Sequence, residues 1–240
     1  MVKGIIFDKD GTLLDMDGYW LPVAHYAYED ILKAIGRTDI PLEELFLATG
    51  VSEGNVEISG SLCCGTYAQV GGDIYSVLAR HNVDISLQET VDLTVKYFHD
   101  NMDKGEMQPT SPSLKSVLAT LKAKGVKLAV ATADDKFVTA KCLAKLGISE
   151  FFDVIFADDG VSPPKPNPYY ADTFRAKYGF EREETLMVGD TFNDANFARN
   201  AGIAFVGLAQ NEKNRALLSE KTQMVMNDMQ ELLGILGYEI

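Results

Sequence analysis

Short, continuous apolar runs recur along the chain, each bounded by polar or turn-forming residues. Runs of this kind predict strands that are buried on both faces. The predicted strands are Gly4–Phe7, Val126–Ala131, Val154–Ala157, Thr185–Val188 and Ile203–Val206.

Segments with helical periodicity separate these strands. Between Leu114 and Leu121 the apolar residues share one helical face, with Ser113 as the candidate N-cap and Gly125 as the stop. Three later segments, each closed by a glycine, repeat this arrangement: Asp135–Gly147, Pro168–Tyr178 and Asn193–Ala201. The alternation predicts an α/β fold, a doubly wound parallel sheet with helices on both faces.

Residues 16–109 interrupt the alternation with a mostly helical pattern. A capping box at Ser86 and Glu89 begins the clearest helix of this region. Apolar helical periodicity also covers Val23–Ile35, Leu42–Ala48 and Ile74–Ala79. We therefore predict a helical domain inserted into a core that consists of residues 1–15 and 110–240. Several glycines in the middle of the insertion predict a mobile backbone there.

Composition limits the classes of function. The net charge of -13 and the pI near 4.6 argue against a protein that wraps nucleic acid or lies on an anionic membrane. No apolar stretch approaches the roughly 18 residues that span a bilayer, and Val2–Phe7 is too short for a secretory segment. We expect a cytoplasmic protein.

Cysteine and histidine chemistry is not favoured. Cys63 and Cys64 are neighbours, which rarely close a structural disulfide, so reduced thiols are expected. The cysteines also lack further thiol or imidazole ligands at the short spacing of a zinc site. The histidines His25, His81 and His99 lie outside the polar clusters described next.

Two carboxylates follow the first predicted strand. Asp8 comes directly after that strand, at the carboxyl edge of the sheet, and Gly11 allows a turn that brings Asp10 back beside it. One carboxylate could attack a phosphorus atom while the other protonates the leaving oxygen. Taken alone, the same residues could form a solvated turn.

The second long apolar strand leads to Thr132. Small residues follow it at the expected start of a helix, so its hydroxyl and the next backbone N–H groups could bind phosphate oxygens. Capping of that helix by Asp134 or Asp135 is the alternative, and it could coexist with phosphate binding.

Two further clusters complete the set. Lys165 lies in a loop stiffened by prolines, where it could neutralise a phosphoryl oxygen and keep a carboxylate nucleophile ionised. Asp190 follows the fourth predicted strand, and Asp194 lies at a helix start. Such oxygen ligands suit Mg²⁺. Helix capping would explain either aspartate alone, but it does not explain the whole set.

Together these segments resemble the motifs of the haloacid dehalogenase superfamily, most closely its phosphoglycolate-phosphatase-like branch. The matching segments, in the family's order, are Phe7–Leu13 (FDKDGTL), Ala131–Ala133 (ATA), Pro164–Pro166 (PKP) and Gly189–Asp194 (GDTFND). The resemblance implies a Rossmann-like core, while the insertion matches the family's helical cap domain in position and helical character only.

The resemblance also implies catalytic roles. Asp8 would be the nucleophile that forms a phosphoaspartyl intermediate, and Asp10 the general acid and then the base for water. Thr132 and the amide of Ala133 would bind the phosphoryl group, and Lys165 would pair with it and with Asp8. Dehalogenase members lack the second aspartate and phosphonate hydrolases typically replace it, so Asp10 disfavours both.

A metal site is implied in the same way. Mg²⁺ would be held by Asp8, the backbone carbonyl of Asp10 and Asp190, with Asp194 supporting the site.

The expected function is therefore a Mg²⁺-dependent phosphatase that acts on a small phosphorylated metabolite, phosphoglycolate or a similar phosphomonoester. A phosphomutase with the same aspartates and a phospho-ligand-binding protein without turnover are the alternatives. Neither nucleic acid nor a membrane is expected as a partner, and monomer and homodimer both remain open.

Overall fold

The computed structural model describes residues 1–52 and 54–238. It contains two compact units, one formed by Met1–Asp15 with the chain from Gln108 onward and the other by Met16–Met107. The strands are β1 (Gly4–Phe7), β2 (Val51–Ser52), β3 (Asn55–Val56), β4 (Lys127–Asp135), β5 (Val154–Asp158), β6 (Thr185–Gly189), β7 (Ala204–Leu208) and β8 (Val225–Met226). The α-helices are α1 (Met16–Ala34), α2 (Leu42–Ala48), α3 (Ser61–Cys64), α4 (Tyr67–Arg80), α5 (Leu87–Asp100), α6 (Leu114–Ala123), α7 (Lys136–Leu146), α8 (Tyr169–Tyr178), α9 (Phe192–Ala201), α10 (Glu212–Ser219) and α11 (Glu231–Ile235). Short 3₁₀ turns cover Met102–Lys104, Ser149–Phe151 and Arg182–Glu184.

A parallel sheet of six strands forms the centre of the larger unit. The strand order is β5-β4-β1-β6-β7-β8, with β1 between β4 and β6. Ile5 of β1 lies level with Leu128 of β4 and Leu186 of β6. The predicted α/β class with a parallel sheet is confirmed, and all five predicted strands are present.

Helices bury the apolar faces of this sheet. Ile6 and Met187 pack in one core cluster with Phe174 of α8 and Phe197 of α9. Side chains alternate along a strand, so Ile5 and Phe7 project to the opposite face. Helices α6 and α7 also contact β4.

Two details of the larger unit differ from the sequence prediction. Strand β4 runs on to Asp135, four residues beyond the predicted end, with an irregular register before Asp135 pairs with Asp158 of β5. Ser113 stands at the N-cap position of α6, but its hydroxyl donates to the Asp228 carboxylate instead of capping the helix.

The smaller unit is mainly helical. The predicted capping box is present at the start of α5, where the Ser86 hydroxyl accepts a hydrogen bond from the Glu89 N–H and the Glu89 carboxylate accepts from the Ser86 N–H. Helices α4 and α5 approach closely at Gly71, where a Cβ atom would lie 2.8 Å from Val91 Cγ2. The described part of the glycine-rich stretch forms the β2–β3 hairpin, α3 and the start of α4. Within the described residues, no helix combines the length and apolarity that crossing a membrane requires.

Candidate active site

Polar residues from three neighbouring strands meet at the carboxyl edge of the sheet. Asp8 follows β1, Asp134 lies near the end of β4, and Asp190 follows β6. Because β1 is flanked by β4 and β6, the strand order alone brings these three chain segments together.

Three of the aspartates form a buried acidic cluster. One carboxylate oxygen from each of Asp8, Asp190 and Asp194 lies within 4.8 Å of the others. Burial, opposed by Lys165 and reinforced by the other aspartates, raises the pKa of Asp8 to about 7. Burial and the charges of Asp8 and Asp194 raise the pKa of Asp190 well above its ordinary value. Such crowding favours a cation among the oxygens.

Lys165 joins two members of the acidic cluster. Its Nζ donates to Asp8 Oδ1 and to Asp194 Oδ1, each at 2.6 Å. Burial lowers the pKa of Lys165, but Asp194 and Asp8 outweigh that effect and raise it above its ordinary value. The ammonium group is therefore held charged beside Asp8.

The loop that carries Lys165 is tied to α9. Its Lys165–Pro166 peptide bond is cis. The Pro166 carbonyl accepts a hydrogen bond of 2.9 Å from the Asn200 side chain, and the Lys165 carbonyl accepts one of 3.5 Å from Asn193. These contacts fix the backbone on both sides of the lysine side chain.

Asp194 has protein partners on both carboxylate oxygens. Its Oδ2 accepts hydrogen bonds from the Thr191 hydroxyl at 2.6 Å and from the Thr191 N–H at 3.1 Å, which forms a capping box at the start of α9. Its Oδ1 accepts from Lys165. Asp194 thus connects a helix terminus to the lysine.

The turn after β1 holds Asp190 in place. Gly11 has a φ of 71° in the left-handed region, and a Cβ atom there would collide with the Asp190 carboxylate. The Thr12 hydroxyl donates to Asp190 Oδ1 at 2.8 Å. Sequence reasoning used Gly11 correctly as the turn residue but missed the Thr12 contact.

Asp10 belongs to a second ion-pair group with Lys9 and Asp134. Lys9 Nζ lies 2.5 Å from Asp10 Oδ1 and 2.9 Å from Asp134 Oδ2. The Asp10 charge is also near enough to contribute to the raised pKa of Asp8. The sequence prediction missed Lys9. Its place between two aspartates was a signal for an ion pair, but nothing in the local sequence indicated that the lysine would be buried.

Thr132 is buried in β4, and its hydroxyl accepts a hydrogen bond of 3.2 Å from the Asp134 N–H. The helix predicted over Asp135–Gly147 is α7, but Ala133, which was expected at the helix start, lies in β4 instead. Because β4 resumes pairing with β5 at Asp135, α7 begins only at Lys136. Asp135 caps that helix by accepting from the Val138 N–H at 2.8 Å, as predicted for one of the two candidate aspartates.

The fold and this edge of the sheet are those of a known class of hydrolases. A family model described as haloacid dehalogenase-like hydrolase matches residues 2–202. The chain belongs to this family, and the resemblance inferred from the motifs is confirmed.

The chain is also similar to individual proteins, over 63% to 98% of its length. The chain is 27% identical over 237 residues to a phosphoglycolate phosphatase of Yersinia pestis, and the match covers 98% of this chain and 94% of the relative. It is 35% identical over 153 residues to the pyrophosphatase PpaX of Halalkalibacterium halodurans, covering 63% of this chain and 70% of the relative. A crystal structure from Haemophilus somnus, described as a predicted phosphoglycolate phosphatase, has a TM-score of 0.76 at 22% identity, with 98% of both chains covered. The expected class, a hydrolase related to phosphatases, is confirmed.

Proposed function

We propose that the protein is a Mg²⁺-dependent phosphatase that hydrolyses a small phosphomonoester through a phosphoaspartyl intermediate on Asp8. The observation that carries this proposal is the pair of contacts from Lys165 Nζ to Asp8 and Asp194, beside the buried Asp190 carboxylate. A lysine in this place lowers the pKa of the carboxylate nucleophile, against the burial that raises it, and can neutralise a phosphoryl oxygen.

The donor set fits a hard divalent cation. Asp8, Asp190 and the backbone carbonyl of Asp10 would hold Mg²⁺, which prefers oxygen ligands and binds through one or two carboxylates. Asp194 would support the site without binding the ion directly, because both of its oxygens already accept hydrogen bonds from Lys165 and Thr191. When bound, the cation would neutralise charge on the phosphoryl oxygens.

In the proposed reaction, an oxygen of Asp8 attacks phosphorus while the bond to the leaving oxygen breaks. Asp10 donates a proton to that leaving oxygen, and it later accepts a proton from the water that attacks the phosphoaspartate. This second step releases inorganic phosphate and restores Asp8. Thr132 and the amide of Ala133, near the end of β4, would bind the phosphoryl group.

Small metabolites are the proposed substrates. The named relatives act on phosphoglycolate and pyrophosphate according to their descriptions, so both compounds belong among the first candidates. The helical unit, as the proposed cap domain, would supply the residues that determine which of these substrates is bound.

A phosphate-release screen with Mg²⁺ tests the proposal. We expect turnover of phosphoglycolate or a similar phosphomonoester, loss of turnover with EDTA, and loss of turnover in a folded Asp8→Asn variant. Full activity of a folded Asp8→Asn protein would exclude Asp8 as the nucleophile.

The same screen separates the two alternatives. A phosphomutase would need a bisphosphate activator and would release no free phosphate. A phospho-ligand-binding protein would bind candidates without turning over any of them.

A further inference from the structure

A second buried lysine lies at the same edge of the sheet, and the proposed reaction does not use it. The Lys9 side chain is 0% exposed, and its Nζ contacts Asp10 Oδ1 at 2.5 Å and Asp134 Oδ2 at 2.9 Å. Lys165 contacts Asp8 and Asp194 instead. Each lysine therefore forms ion pairs with a different pair of aspartates.

The position of Lys9 follows from the end of β1. Lys9 lies two residues beyond β1, in the bend that begins the following turn, and its side chain is buried. The neighbouring strand β4 ends beside it and supplies Asp134. The backbone carbonyl of Lys9 also accepts hydrogen bonds from Leu13 and Leu14, which fixes the base of the side chain.

Stability alone is a weak reason for this arrangement. Removing an ammonium group and two carboxylates from water is costly, and apolar residues of similar size often stabilise a buried position as well or better. A buried ion pair that includes a proposed proton donor therefore points to a role in the reaction.

We propose that Lys9, anchored by Asp134, is a positioning residue that holds the Asp10 carboxyl group in place for proton transfer. This inference rests on the proposed function. Because the ammonium group donates to Asp10 Oδ1, that oxygen is an acceptor, and the proton that Asp10 transfers is carried on Oδ2. Lys9 keeps all of its protons while the Asp10 proton passes to the leaving oxygen and the phosphoryl group passes to Asp8.

The test compares two leaving groups. Phosphoglycolate leaves as an alkoxide that needs a proton, whereas p-nitrophenyl phosphate leaves as a stable phenolate that needs little help. The ratio kcat/KM reports on the steps up to transfer of the phosphoryl group to Asp8. These steps include protonation of the leaving group by Asp10 but not hydrolysis of the phosphoaspartate. For Lys9→Met we expect kcat/KM to fall by about 10²-fold on phosphoglycolate, or on the best alkyl phosphate of the screen, and only a few-fold on p-nitrophenyl phosphate.

Lys165→Met is the matched control. It also removes one buried ammonium group, but from the nucleophile, so both esters should lose activity to a similar degree. Asp134→Asn is the second variant, because it keeps Lys9 and only loosens its anchor. It should show a smaller loss with the same preference for p-nitrophenyl phosphate, and it keeps the test decisive if Lys9→Met fails to fold.

The outcomes separate the two proposals. An active wild-type protein whose folded Lys9→Met and Asp134→Asn variants lose equally on both esters, or lose nothing, would overturn the role of Lys9 alone. No phosphate release by the wild-type protein from any ester would overturn the proposed function and this inference with it.

Discussion

At the scale of single residues, the site depends on two glycines whose lack of a side chain leaves room for carboxylates. A Cβ atom at Gly189 would lie 2.5 Å from the Cβ of Asp194, and one at Gly11 would meet the Asp190 carboxylate. Glycine at both positions lets two carboxylates approach the backbone of neighbouring segments. The acidic cluster is therefore specified partly by small residues that carry no chemistry.

A carboxylate outside the site makes stability depend on pH. Burial alone would raise the pKa of Asp153, but hydrogen bonds from Lys122 at 2.6 Å, the Leu128 N–H at 2.9 Å and Lys127 at 3.1 Å lower it below its ordinary value of 3.8. Its contribution to stability is therefore present above the unfolded-state pKa and is lost as the pH falls through the folded-state pKa.

We expect Asp153→Asn to lower the free energy of unfolding by about 1–3 kcal/mol near neutral pH. The difference from wild type should shrink as the pH falls below about 4. Urea unfolding at a series of pH values measures both effects. Asp172→Asn, at an exposed ion pair with Arg175, is the control and should change stability little. A difference in unfolding free energy between Asp153→Asn and wild type that does not change with pH would contradict the stabilising role of the ionised Asp153 carboxylate.

Lys9 marks the limit of residue-level prediction. A lysine in a turn after a strand has the pattern of a solvated residue, and its burial depends on Asp134, which lies far away in the sequence. The carboxylates and Lys165 were predictable because their types and spacing suit phosphoryl transfer. The contact between Lys9 and Asp134 was not predictable, because it depends on which strands become neighbours in the sheet.

At the scale of elements, helix α9 connects fold and site through its first turn. The Thr191 hydroxyl accepts a hydrogen bond from the Asp194 N–H at 3.3 Å and donates one to the Asp194 carboxylate at 2.6 Å. The same carboxylate holds Lys165. A single capping interaction therefore both starts the helix and orients the lysine.

We expect Thr191→Ala to lower stability by about 1 kcal/mol and to reduce phosphate release, because the Asp194 carboxylate loses the hydrogen bond from the Thr191 hydroxyl, one of the three that hold it. Thr191→Ser keeps the hydroxyl and should retain most of the stability and most of the phosphate release. Thermal unfolding and the phosphate-release assay measure the two effects. If Thr191→Ala matched Thr191→Ser in both, the capping box would have no bearing on the site.

Strand β4 shows why element boundaries resist prediction. Apolar continuity ends at Ala131, yet the strand continues through polar residues because Asp135 pairs with Asp158 of β5. Local pattern predicted five of the six strands that form the described sheet and missed β8. The extension depends on a neighbouring strand, so it could not be predicted from local pattern.

At the scale of the whole molecule, the acidic cluster should couple stability to cations. Carboxylates that crowd together in the folded chain are apart in the unfolded chain, so a cation that they bind stabilises the folded form. Saturating Mg²⁺, at about 100 times its Kd, should raise the free energy of unfolding by about 2.7 kcal/mol.

Thermal unfolding with and without Mg²⁺ measures this effect independently of turnover. The shift should disappear in Asp190→Asn and persist in Asp172→Asn, which removes a carboxylate of the same unit outside the cluster. An equal shift in both variants would show that the ion acts elsewhere on the protein.

The central place of β1 has a consequence for how the chain folds. Its partners β4 and β6 come after the helical unit in sequence, so the middle of the sheet is closed by contacts between distant segments, which form slowly. The helical unit, in contrast, consists of one continuous segment. During synthesis from the N-terminus, β1 lacks β4 until Asp135 has left the ribosome and lacks β6 until Gly189 has left it. The helical unit can therefore complete its fold before the unit to which β1 belongs.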